Sequence, residues 1–84
     1  MPDIIKYHYI YIVECADKTL YTGYTTDIEK RVTTHNAKKG AKYTKVRLPV
    51  QLVYSERYLD KVTAQKREYA IKQLSKQQKL ALWQ

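Results

Sequence analysis

Cysteine is nearly absent: one residue, Cys15, in 84. It cannot form an internal disulfide, which suits a reducing compartment, and without a second Cys nearby it reads as an inert strand-end residue. One Cys and two His (His8, His35) exclude the usual four-ligand zinc site, so a metal would have to be held by oxygen. No apolar run approaches the roughly 18 to 20 residues of a membrane span. The opening Met1-Pro2-Asp3 has none of the parts of a secretory signal, and a cytoplasmic location without membrane attachment is expected. No repeat, linker or low-complexity stretch appears, and at this length one domain over 1–84 is expected.

Acidic residues are also scarce, and unevenly so. Residues 1–30 hold three Lys against five Asp/Glu, whereas residues 31–84 hold thirteen Lys/Arg against three acids; the whole chain carries a formal charge of +8. Positive charge segregated in this way implies a polyanionic partner, nucleic acid before an anionic membrane.

Tyr7 to Glu14 alternates with period two, Tyr7, Tyr9, Tyr11 and Val13 sharing a face, and predicts a first strand. Turn residues 16–19 join it to a second, Leu20 to Tyr24, in which Gly23 signals close approach by a backbone or a ligand. Thr26 or Asp27 opens a helix, Thr26 and Glu29 having capping-box spacing, that should run to about Lys38 with Gly40 as its stop. Residues 38–49 hold five basic residues and no acid, which predicts a basic loop with Lys38, Lys39, Lys42, Lys45 and Arg47 on phosphates and Tyr43 free to stack on a base. Val50 to Tyr58 is a third strand. Asp60 opens a helix with Val62, Tyr69, Ala70 and Leu74 at helical spacing, and Ser75 caps a last one ending near Trp83. The expected fold is α+β, a small three-stranded antiparallel sheet flanked by helices in the order β-β-α-β-α-α.

Chemistry-bearing residues recur along this frame. A hairpin folded near Asp17 would bring Tyr11 and Tyr21 to neighbouring positions, Arg31 and His35 lie one turn apart on one helix face, and Glu68 is on the second long helix. Plainer readings stand beside these: sheet residues for Tyr7 and Tyr9, an ion pair with Asp27 for Arg31, one with Lys72 for Glu68, and a solvated surface for His35.

Tyr9-Ile10-Tyr11, Tyr21-Thr22-Gly23, Arg31 with His35, and Glu68, together with the runs Gly40–Thr44 and Leu52–Glu56, resemble the GIY-YIG endonuclease superfamily, in its small stand-alone bacterial branch, over about residues 7–82. The resemblance implies divalent-metal-dependent phosphodiester hydrolysis of DNA with low or structure-directed specificity, in repair or recombination. It implies one Mg²⁺ or Mn²⁺ on Glu68, water and phosphate; Arg31 clamping the phosphate; and Tyr11 as general base, its phenol pKa lowered by Arg31 and the metal. Tyr21 and His35 would position phosphate or move protons. Tyr9 stands where many members have Gly, which implies that close backbone approach is not required there. Tyr24 where several members have Lys, and the lack of the separate module that larger members attach, motivate an alternative: a nucleic-acid-binding module that keeps the fold but cuts weakly.

Overall fold

A computed structural model describes residues 5–84. Three strands, β1 (His8–Glu14), β2 (Leu20–Thr25) and β3 (Gln51–Tyr58), form an antiparallel sheet in the order β2-β1-β3. Around it lie α1 (Ile28–Asn36), the single turn α2 (Lys42–Lys45), α3 (Lys61–Lys72) and α4 (Lys76–Leu80). This is the expected α+β architecture with one added element, because the segment expected to be loop throughout contains α2. Four residues are too few for a helical period to show.

β1 is central, and its alternation divides the interior in two. Ile10 and Ile12 face α3, where Ala64 and Ile71 bury against them and Tyr54, Leu74 and Trp83 close the edges. Tyr11 and Val13 face the other way, packed with Cys15, Val50, Tyr21, Val32 and Leu48. Pairing with β3 shifts between Ile12 and Val13, so that Val13 lies opposite Leu52 and Val53 is the extra residue of a bulge.

Of the two caps the sequence offered for α1, Asp27 is the one used, its side chain accepting from the Lys30 N–H at 3.1 Å. Two local expectations change. Gly40 does not stop the helix. The end is a Schellman turn, Lys38 N–H on the His35 carbonyl and Lys39 N–H on that of Thr34, both at 3.0 Å, with Lys38 at φ 65°. Finally, the inward face of α3 is not the one the apolar spacing indicated: Val62 and Tyr69 are 61% and 69% exposed, while Ala64 and Ile71 are buried. Asp60 caps α3 through the Thr63 N–H at 2.8 Å, and Arg67 ties it to Glu56, so Ala64, Arg67, Glu68 and Ile71 turn toward the sheet.

Glu56 anchors that contact. It accepts from Arg67 Nε at 2.8 Å, from Arg67 Nη2 at 3.0 Å, and from the phenols of Tyr54 and Tyr58. Burial pushes its carboxyl up, but these four donors outweigh it and hold the group below the ordinary value. The same cluster pushes the Tyr58 phenol up to about 12, first through burial and then through Glu56.

Candidate active site

β1 directs Tyr11 across β2. Its ring lies over Gly23, its register partner, so closely that a Cβ there would overlap the phenol oxygen and sit 2.9 Å from Cε1. The close approach expected at Gly23 is therefore made by a side chain. Gly40 serves His35 in the same way, since a Cβ would strike Nδ1 and lie 2.8 Å from Cγ. These are the only glycines in the chain, and each makes room for one ring of a hydrogen-bonded pair.

That pair is Tyr11 and His35, both buried, with the phenol oxygen 2.8 Å from Nε2. The solvated reading of His35 is excluded. Its other nitrogen, Nδ1, lies 2.8 Å from Thr44 Oγ1. Thr44 donates its one hydroxyl proton to the Ala41 carbonyl at 2.9 Å, so toward His35 it must accept. His35 consequently carries its proton on Nδ1, and its bare Nε2 accepts from the Tyr11 O–H. Burial, followed by the charge of Arg31, pushes the imidazole down and keeps it neutral.

Arg31 donates from Nε to the Tyr11 oxygen at 3.3 Å, and among the described residues it makes no ion pair with Asp27. Its hydrogen bond and charge lower the phenol pKa, as expected of it, but burial is larger and the Tyr11 phenol is pushed up. Arg31 alone therefore does not bring the phenol below its ordinary value; the expected lowering rested on the metal as well. Tyr21 turns its ring edge-on to His35, centroids 5.4 Å apart, and stacks on Tyr43 at 5.9 Å. The site gathers Tyr11, Tyr21, Arg31 and His35. Glu68 acts on Tyr11 through its charge, and with its side chain 20% exposed it also pairs with Lys72 at 3.4 Å.

A metal would find one carboxylate here. Among the described residues no group of three or more His, Cys, Asp or Glu could enclose an ion. Glu68 alone fits a hydrated hard cation that keeps most of its waters and takes a substrate phosphate, as Mg²⁺ does, and does not fit an all-protein cage.

The basic segment divides. Lys38, Lys39, Lys42 and Lys45 are exposed, whereas Arg47 is engaged: 3.1 Å from Asp17, donating to the Tyr43 carbonyl at 2.7 Å, and 4.0 Å above the Tyr43 ring. Tyr43, held by Tyr21 and Arg47, remains 39% exposed. Reasoning from sequence missed Thr44, whose part depends on α2 folding back over His35. It also missed the Glu56–Arg67 clamp, of which only Glu56 appeared, at the end of a family-like run.

This fold, with two tyrosines, an arginine and a histidine converging beside one glutamate, is that of the GIY-YIG nucleases. The chain belongs to the GIY-YIG catalytic domain family, which it matches over residues 7–81. It is similar to a UPF0213 protein of Staphylococcus haemolyticus, 61% identical over 75 residues that cover 89% of this chain and 92% of the relative. A UPF0213 protein of Halobacterium salinarum is 55% identical over 76 residues, covering 90% and 99%. The solution NMR structure of a Bacillus halodurans UPF0213 protein superposes with a TM-score of 0.58 at 46% identity, covering 90% of this chain and 81% of that one. A second NMR structure, of an E. faecalis protein, gives 0.61 at 41% identity, covering 92% and 83%. No helix among the described residues is long and apolar enough to cross a membrane.

Proposed function

We propose that this protein hydrolyses phosphodiester bonds in DNA, with Tyr11 as the group that takes the proton of the attacking water and His35 as the group behind it. The observation that carries this is the ordered chain of donors, Arg31 to Tyr11 to His35 to Thr44 to the Ala41 carbonyl. As the water oxygen bonds to phosphorus and the bond to the leaving oxygen breaks, the water proton passes to the Tyr11 oxygen. The Tyr11 proton passes in turn to His35 Nε2. Ordinary phenol and imidazole values lie about 3.5 pH units apart, so forming a separate tyrosinate–imidazolium pair costs about 5 kcal/mol. Burial widens that gap, which favours one concerted transfer over a standing phenolate.

Arg31 keeps a fork of donors free beyond its Nε contact, suited to the non-bridging oxygens of the phosphate. A divalent ion on Glu68, Mg²⁺ or Mn²⁺, would supply neutralisation of the phosphate and of the leaving oxygen. Lys38, Lys39, Lys42 and Lys45 would hold the flanking strand. Four such phosphate contacts would give a log–log salt slope of roughly −2.8 on single strands and −3.6 on duplex. Recognition by phosphate and shape favours branched, nicked or single-stranded DNA over a base sequence.

The test is cleavage of labelled single-stranded, duplex and branched DNA with Mg²⁺ or Mn²⁺, beside Arg31→Ala and Glu68→Ala. Activity lost in both variants and in chelator supports the nuclease. Binding without cleavage, the same in all three proteins, would instead make this a binding module that retains the fold, the reading favoured by Tyr24 in place of a lysine.

A further inference from the structure

The cleft nearest Tyr43 is not built from the basic segment alone. It is a small hollow of about 220 Å³ lined by Thr19, Leu20, Tyr43, Lys76 and Lys79, so that α4 faces the β1–β2 turn and α2 across it. The start of α4 is fixed by a reciprocal capping box. Ser75 N–H donates to Gln78 Oε1 at 2.9 Å and Gln78 N–H to Ser75 Oγ at 3.2 Å, which sets Lys76 and Lys79 three residues apart on one side of the helix.

Among the described residues neither lysine is ion-paired. Lys79 is half-buried, and burial followed by the nearby Lys72 pushes its ammonium down. A half-buried cation beside a second cation, with no carboxylate against it, is complementary to an anion from outside the chain. The hollow also adjoins the active site: Tyr43 stacks on Tyr21, Tyr21 meets His35, and Lys72 reaches Glu68 at 3.4 Å.

We propose that Lys76 and Lys79 bind a backbone phosphate of the nucleic-acid strand next to the scissile one, its sugar resting on Leu20 and the exposed edge of Tyr43. The strand would thus run between α2 and α4 and contact both. This deepens the nuclease reading by naming a subsite, but as a binding statement it can be tested without cleavage.

The experiment is anisotropy of a labelled single-stranded oligonucleotide in chelator, for wild type, Lys76→Ala/Lys79→Ala, and the charge-matched Lys61→Ala/Lys66→Ala on α3. Loss of that one phosphate contact should weaken binding roughly tenfold and flatten the log–log salt slope by about 0.7, with the control within about twofold of wild type. Equal losses in the two double variants would leave only generic attraction by positive charge and overturn the subsite, as would no loss at all or a wild type that does not bind. Lys79→Met keeps the buried stem, so a loss there with an unchanged melting temperature separates lost charge from lost folding. If wild type cuts nothing yet the α4 variants bind weakly, the nuclease reading fails and the subsite stands.

Discussion

On one face of the sheet two tyrosines and an arginine close around Glu56; on the other a tyrosine and an arginine close around His35. The ingredients are similar, and the charge balance is not. Glu56 is matched by the bidentate Arg67, and its remaining lone pairs are filled by two phenols, so that cluster has no affinity left to express. At His35 the imidazole is neutral, and Arg31 brings a positive charge that no carboxylate hydrogen-bonds among the described residues. A closed polar cluster fixes structure, while an open one of the same residue types awaits an anion.

Substitutions should separate the two. Arg31→Ala removes the open cluster's charge, and steady-state cleavage should fall at least a hundredfold, about 2.7 kcal/mol of transition-state stabilisation. Its melting temperature should move little. Arg67→Ala should do the reverse, lowering stability by about 2 kcal/mol while oligonucleotide binding holds. That is less than a fully buried pair would lose, because the Arg67 side chain is 37% exposed. Urea titration of both variants would check this, and equal destabilisation would erase the distinction. Thr44→Val leaves the His35 Nδ1–H without an acceptor and frees the other tautomer, at about 1 kcal/mol of stability. Cleavage should fall with it, and Thr44→Ser should restore both.

Acid should separate the clusters as well. His35 is pushed down in the folded protein, so the unfolded chain binds the proton more readily; the stability it contributes is full above about pH 6.5 and declines as pH falls below that. Glu56 is also pushed down, but its contribution persists until pH falls below about 4.3 and is lost through its lower folded value. Melting curves against pH should show two descents, the lower one smaller in Glu56→Gln but not absent, because Asp17 and Asp60 are also held down by their hydrogen bonds.

Much of the fold could be read because its signals are local. Alternation located β1 and β2, and Asp60 and Ser75 announced their helices. The converging site was legible through Tyr11, Tyr21, Arg31, His35 and Glu68, at spacings set by the hairpin and the helix turn. What stayed hidden depends on contacts between distant segments. Thr44 is nine residues from His35 with no period joining them, and Arg67 rotates α3 against its apolar spacing by finding Glu56 eleven residues back. Arg31 lowers the Tyr11 phenol as expected of it, but burial, which no motif reports, exceeds the effect of one arginine.

Among the described residues the positive-φ positions are Lys18 at 70° and Lys38 at 65°, and neither glycine is among them. Elsewhere a glycine would close such turns, whereas here the glycines lie under aromatic rings and lysine takes the left-handed places. Replacing Lys38 by Gly should therefore raise stability by roughly 1 kcal/mol, visible as a higher melting temperature, while removing one cation from the binding surface. At that turn robustness and grip are set against each other, and a search for more thermostable variants would select weaker binders there.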